Sequence, residues 1–136
     1  MTPIHIDSNY YVSPQISVED INPLAEQGFV KIICNRPNNE VPQELQAEVI
    51  EIAAKAAGLD FDFHPLTHQM MHAENIKLQD DLVSEAQGPV LAYCASGTRC
   101  TVVWALYQAG KRSADDILKT TRNAGYDLEG LRLHLI

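Results

Sequence analysis

The stretch Pro89-Val90-Leu91-Ala92-Tyr93-Cys94-Ala95-Ser96-Gly97-Thr98-Arg99-Cys100 decides how the chain is read. It opens with a short apolar run that ends in a cysteine. A small polar loop with one glycine follows, and an arginine closes the loop as a helical pattern begins. The order is strand, anion-binding loop, helix. Such a strand points the Cys94 sulfur into a cup of backbone N–H groups from Ala95, Ser96, Gly97, Thr98 and Arg99. Gly97 permits φ > 0, which helps those groups converge. The following helix, about Arg99 to Ala109, adds its positive N-terminal end. Each feature favours a thiolate at Cys94. Arg99 offers a planar fork of donors for an oxyanion beside the sulfur. Cys94 and Arg99 are therefore the candidate catalytic pair, and Ala95 to Arg99 the candidate anion-binding loop.

The order Cys-x-x-Gly-x-Arg resembles the active-site loops of two related groups. Cysteine-dependent phosphatases use Cys-x5-Arg, with His before the Cys and Ser or Thr after the Arg. Rhodanese-type sulfurtransferases use a loop one residue shorter. Cys94 to Arg99 has the shorter, Cys-x4-Arg spacing; Tyr93 stands at the phosphatase His position and Cys100 at the Ser/Thr position. The whole chain is similar to the phosphatase-like domain of bacterial beta-lactamase-hydrolase-like proteins. The matching marks are Tyr10-Tyr11-Val12-Ser13-Pro14-Gln15, Asn35-Arg36-Pro37 with Glu40, and the Cys94 loop. The resemblance implies a phosphatase-like fold. It also implies that larger relatives carry this domain fused to a metal-dependent hydrolase-like domain, which raises a separately encoded partner enzyme as an expectation.

With 136 residues, one domain over 1–136 with one core is expected. No apolar run approaches the length of a membrane span. The start, Met1 to Asp7, has neither the basic residues nor the apolar core of a signal peptide. Three cysteines without a C-x-x-C pair suit free thiols in a reducing compartment, so a cytoplasmic location is expected. The net charge of −8 comes with no basic stripe, which sets nucleic-acid binding aside. A membrane partner is likewise not expected. A small sulfur or phosphate anion is still a suitable substrate, because the local N–H cup and Arg99 outweigh a distant, screened charge.

Along the chain, Ile4–Ile6 and Tyr10–Val12 read as short strands in a hairpin over Asp7-Ser8-Asn9. Ser17-Val18-Glu19-Asp20 starts a helix as a capping box, and Gly28 ends it. Phe29–Cys34 is a buried strand. Gln43–Ala57 is a helix with Leu45, Val49, Ile52, Ala53 and Ala56 inward. Leu59–His64 alternates, with Leu59, Phe61 and Phe63 on the buried face. Pro65–Ala73 is a loop; Glu74–Ala86 is a helix with Ile76, Leu82 and Val83 inward. After the central stretch, Ser113 caps another helix, and Asp127–His134 forms a short last one. Helices alternating with strands predict an α/β fold, a three-layer sandwich with a central, mostly parallel sheet flanked by helices.

Accessory candidates surround the central pair. Cys100 is either packed on the sheet or a resolving thiol, and Thr101 is a substitute for the phosphatase hydroxyl. Arg36 either pairs with Glu40 or touches the ligand. Cys34 reads as a small buried apolar residue. His64, His68 and His72 are spaced four apart, but Pro65 interrupts them. No metal and no cofactor are expected; His68 or His72 facing the pocket is the better use of these residues.

The loop His64 to His72 holds no carboxylate to protonate a leaving oxygen, the usual need of a phosphatase of this type, which leaves a loop histidine in that role or no acid at all. Sulfur transfer needs no such acid. A short loop also suits a terminal persulfide sulfur better than a tetrahedral phosphoryl group. The first expectation is thus a cysteine-dependent sulfurtransferase carrying sulfane sulfur as a persulfide on Cys94. The alternatives are a protein-tyrosine or dual-specificity-like phosphatase with Cys94 as nucleophile, and a non-catalytic anion-sensing or partner-binding module.

Overall fold

Four parallel strands and one antiparallel edge strand form a sheet that carries the Cys94 loop at the end of its central strand. The computed structural model describes residues 2–136. The strands are β1 (Ile4–Asp7), β2 (Tyr10–Ser13), β3 (Lys31–Cys34), β4 (Asp60–Phe63) and β5 (Val90–Tyr93), in the spatial order β1-β2-β5-β3-β4. The helices are α1 (Ile21–Glu26), α2 (Ala47–Ala56), α3 (Ala73–Ser84), α4 (Thr98–Gln108) and α5 (Ala114–Asn123). The α/β expectation holds, including the β1–β2 hairpin.

The period of two along each strand sends alternate residues to two cores. Leu91 and Tyr93 of β5, with Ile32 and Cys34 of β3, pack beneath α1 and α2. Val90, Ala92 and Cys94, with Ile33, face α4 and α5. Both β5 faces are covered, so this strand is apolar throughout, as a central parallel strand requires. Ser17 and Asp20 form the expected capping box, but it opens a short 3-10 turn, Val18–Asp20, before α1. Ser113 caps α5 by accepting the Asp116 N–H at 3.1 Å. The last short helix is a 3-10 segment, Glu129–His134.

Three inward faces differ from the sequence reading. The second helix begins at Ala47 after a separate 3-10 turn, Gln43–Leu45, which shifts its phase. Ala47, Ile50 and Ala54 are buried in consequence, and Ile52 is exposed. The alternation of β4 fails at its end: Phe63 is exposed on this edge strand, while His64 turns inward. In α3 the fully buried residue is polar, Gln79, and Ile76, Leu82 and Val83 are only partly covered.

Gln79 explains this inversion. Its Nε2 donates to Asn35 Oδ1 (2.8 Å) and Tyr10 Oη (3.2 Å), and its Oε1 accepts from Asn35 Nδ2 (2.9 Å) and His64 Nδ1 (2.8 Å). Asn35 Nδ2 also donates to the His64 carbonyl (2.8 Å), and Tyr10 Oη donates to the Cys100 carbonyl (2.7 Å). Four buried polar side chains thus tie β2, β3, the end of β4 and α3 to the start of α4. Buried polar groups cost little only when satisfied together. Gln79→Leu is expected to destabilise the fold by about 3 kcal/mol, because it strands its Asn35 and His64 partners. Urea unfolding checks this; a loss well under 1 kcal/mol would show that the network carries no such burden.

Candidate active site

Cys94 follows the last residue of β5, where ligands bind in open parallel sheets. Its flanks are pinned by both neighbouring strands' extensions: Asn35 N–H donates to the Tyr93 carbonyl (2.8 Å), and Gln15 N–H to the Ala95 carbonyl (3.3 Å). The Tyr10–Gln15 and Asn35–Pro37 marks therefore form the walls of the loop. Gly97 takes φ 91°, a left-handed conformation that costs glycine little, and α4 starts at Thr98. The Gly97 N–H reaches the Cys94 Sγ at 3.2 Å.

Cys94 is buried, 1% exposed, yet its surroundings favour the thiolate. Its pKa is pushed down to about 5, first by a hydrogen bond from the Cys100 thiol. Burial opposes this, and the N–H groups of Cys100, Gly97 and Ser96 overcome it. Cys100 moves the other way: burial and the adjacent Cys94 keep its thiol protonated. The opposite shifts of the two thiols favour the proton on Cys100. In this arrangement Cys100 acts as a donor to the Cys94 sulfur. Thr101 does not serve the sulfur; its hydroxyl donates to the Gly97 carbonyl at 2.8 Å and holds the loop.

Arg99 is set by a contact the sequence reading did not assign. Its Nη1 donates to Glu40 Oε2 (2.8 Å) and to the Leu66 carbonyl (3.0 Å), and its Nη2 to Glu40 Oε1 (2.7 Å). This uses the end of the guanidinium and leaves the Nε/Nη2 edge, with two parallel donors, uncommitted. Glu40 also pairs with Arg36 (Nε to Oε1, 3.2 Å), the first of the two uses considered for that arginine, and Arg36 Nη1 donates to Gln15 Oε1 at 3.2 Å. The Arg99 hydrogen bonds lower the Glu40 pKa; burial opposes, and Arg36 adds to the lowering. Arg36 thus braces the walls and does not project a free fork into the cup.

The remaining candidates lie further out. Ala95 and Ser96 are exposed at the rim, and the Ser96 and Thr98 hydroxyls bond each other at 2.8 Å. The Thr98 N–H turns to Ser96 Oγ (3.3 Å) and so leaves the cup. His68 and His72 are exposed; His72 Nε2 meets Asn75 Nδ2 at 3.3 Å, and neither histidine bonds the Cys94 loop. Cys34 is buried, and its Sγ donates to the Arg36 carbonyl at 3.3 Å. Among the described residues no cluster of three metal-ligating side chains occurs. Asp62 is bound to Lys31 at 2.8 Å, and Asp60 sits at the opposite end of its strand, level with Lys31. One contributor escaped the sequence reading altogether: Tyr126, whose hydroxyl donates to the Ser96 carbonyl at 2.9 Å. Its signal was the Gly125-Tyr126 pair that closes α5, which shows where a helix stops but not what its next residue touches.

Four likenesses to known proteins fit this geometry. The family model "Beta-lactamase hydrolase-like protein, phosphatase-like domain" matches residues 4–111. A beta-lactamase hydrolase-like protein of Agrobacterium fabrum is 32% identical over 94% of this chain, which spans 30% of that relative's length. A solved structure from Neisseria meningitidis Z2491, described as a candidate phosphatase, is 32% identical with a TM-score of 0.88; the match covers 97% of this chain and 94% of that one. The core catalytic domain of the PP-IP phosphatase SIW14 from S. cerevisiae, solved with citrate, has a TM-score of 0.67 at 18% identity over 91% and 75% of the chains, a likeness of fold. Between the two chemistries expected above, these names lie nearer phosphate-ester hydrolysis than sulfur transfer.

The charge state of Cys94 can be read directly from its alkylation by iodoacetamide. A thiol whose pKa is depressed stays reactive down to its folded-state midpoint, here about 5, and loses reactivity below it. Native reactivity should therefore be flat between roughly pH 6 and 8. Cys100→Ala should raise the midpoint so that reactivity climbs across that range, and Cys100→Ser should restore most of the native profile. Identical profiles in all three proteins would remove Cys100 as the donor.

Proposed function

This chain belongs to the family of the phosphatase-like domain of beta-lactamase hydrolase-like proteins, and from that premise we propose that it is a cysteine-nucleophile enzyme that transfers sulfane sulfur through Cys94. A fold of this kind hosts more than one chemistry, so the site has to choose. One observation carries the choice. The Gly97 and Ser96 N–H groups are turned to the Cys94 sulfur itself while the Thr98 N–H is turned away, in a loop with only four residues between Cys94 and Arg99. Among the described residues, the groups bonded to Arg99 include no carboxylic acid free to protonate a leaving oxygen. Asp60 and Asp62 lie elsewhere, and Glu40, the carboxylate that does reach the site, is kept ionised by two arginines.

In this reading the Cys94 thiolate attacks the outer sulfur of a thiosulfate- or persulfide-type donor. The donor's S–S bond breaks, and sulfite or a thiolate leaves with the electron pair. The sulfur stays on Cys94 as a persulfide, with Arg99 balancing its charge and the N–H cup supporting the inner sulfur. A thiophilic acceptor then takes the outer sulfur and Cys94 returns to its thiolate. A low thiol pKa makes Cys94 a good leaving group in that second step. Neither step requires a general acid.

The second reading is a phosphatase, and the likenesses to phosphatase-like proteins favour it over the first. Cys94 would attack phosphorus while Arg99 clamps the equatorial oxygens, the ester P–O bond would break and its oxygen leave with the electron pair, and water would then cleave the P–S bond to release phosphate and the Cys94 thiolate. Without a positioned acid, such an enzyme should prefer esters with acidic leaving alcohols. A third reading, a binding module that works with a separately encoded partner, predicts that Cys94→Ser retains biological function.

Intact-mass spectrometry after brief exposure to thiosulfate, without reductant, separates these readings. Sulfur transfer predicts a gain of about 32 Da that cyanide removes and Cys94→Ala abolishes. No adduct, together with Cys94-dependent hydrolysis of an aryl phosphate, would establish the phosphatase instead.

A further inference from the structure

We propose that Tyr126 is a positioning residue for Cys94, whose hydroxyl locks the Ser96–Gly97 peptide so that the Gly97 N–H faces the sulfur. A single peptide plane carries both contacts. Its carbonyl, from Ser96, accepts from Tyr126 Oη at 2.9 Å; its N–H, from Gly97, donates to Cys94 Sγ at 3.2 Å. All peptides among the described residues are trans, so the two groups of this plane point to opposite sides. Fixing the carbonyl therefore fixes the N–H.

The lock is needed because of the residue that follows the peptide. Gly97, at φ 91°, has no Cβ to bar other backbone conformations. A flip of the preceding plane would turn the Ser96 carbonyl oxygen toward a buried thiolate and withdraw one of its donors. Tyr126 closes that route from outside. A Cβ built on Gly97 would lie 2.2 Å from Tyr126 Oη, so the hydroxyl occupies the space a side chain would take.

Tyr126 is itself held firmly. Helix α5 ends in a crossed pair of hydrogen bonds: Gly125 N–H to the Arg122 carbonyl (2.9 Å) and Tyr126 N–H to the Thr121 carbonyl (2.9 Å), with Gly125 at φ 97°. This cap throws the half-buried Tyr126 ring across the Cys94 loop. Burial, and then Cys100 and Cys94, keep its phenol protonated and thus a donor. Tyr126 lies beyond residues 4–111, the part of the chain matched by the family model. The inference rests on Cys94 being the reactive thiolate and holds whichever group it transfers.

The test is the pH profile of Cys94 alkylation by iodoacetamide, resolved by peptide mass spectrometry so that Cys34 and Cys100 are read apart. Tyr126→Phe removes the hydroxyl and keeps the ring. Its midpoint should rise by about one pH unit, equivalent to ~10-fold less thiolate at pH values below both midpoints. Tyr107→Phe, on the outer part of α4, should leave the midpoint unchanged. A folded Tyr126→Phe protein with the native midpoint would overturn the proposal.

Should Tyr126→Phe melt, the Gly97 amide of the ¹⁵N-labelled native protein decides. It should exchange slowly and shift with the ionisation of Cys94. Exchange at the rate of an open loop, with no response to Cys94, would equally overturn the proposal. Because alkylation needs no substrate, a raised midpoint in a protein that neither accepts sulfur nor cleaves phosphate would leave this inference standing while the proposed reaction fails.

Discussion

A thiolate has to be solvated, and Cys94 is almost wholly covered, 1% exposed. That constraint organises the molecule. An anion in a protein interior persists only when fixed dipoles replace its hydration, and here they come from backbone N–H groups, the start of α4 and the Cys100 thiol. Each of these must be held in place by something else. Thr101 and Tyr126 hold the loop carbonyls, Glu40 holds Arg99, and Arg36 with Gln15 holds Glu40. The site is a set of donors aimed at one atom, backed by acceptors aimed the other way.

Beneath it lies a second polar layer. Tyr10, Asn35, His64 and Gln79 join three strands and α3 to the carbonyl of Cys100. An apolar plug could fill the same space, but it would not fix the first turn of α4 relative to the strand ends. Polar networks that are satisfied throughout favour one arrangement over its neighbours, because any slip leaves a buried group without a partner. The orientation of the Cys94 cup is inherited from this layer.

Membership of a phosphatase-like family describes the frame in which this site is built. Phosphoryl transfer and sulfur transfer both begin with a thiolate in a ring of N–H groups and an arginine alongside. They part over what surrounds the sulfur: the room for three equatorial oxygens and a proton for the leaving group. Here the ring is short, the carboxylate within reach is spent on two arginines, and the two histidines of the neighbouring loop are exposed without a bond to it. These features weigh toward sulfur in our reading, against the direction of the family's name.

Much of the frame was legible in the sequence, because it rests on local rules. The apolar run Val90–Tyr93, the loop glycine and the helix after Arg99 declare strand, turn and helix within a dozen residues, and the caps at Ser17 and Ser113 are equally local. Cys94 and Arg99 are neighbours along the chain, so their spacing could be read directly. The inward faces of α2 and α3 were misread, since a 3-10 turn shifts the helical phase and a buried glutamine looks like a surface residue until its partners are known. The contacts that tune the site lie between distant positions: Glu40 with Arg99, Gln79 with Tyr10, Tyr126 with Ser96. Such pairs obey no periodicity, because only the packing of the layers brings them together. The sequence by itself thus determined the candidate nucleophile and the frame that presents it, while the tertiary structure decided which side chains orient the dipoles around it, because that depends on distances across the fold that no local pattern encodes.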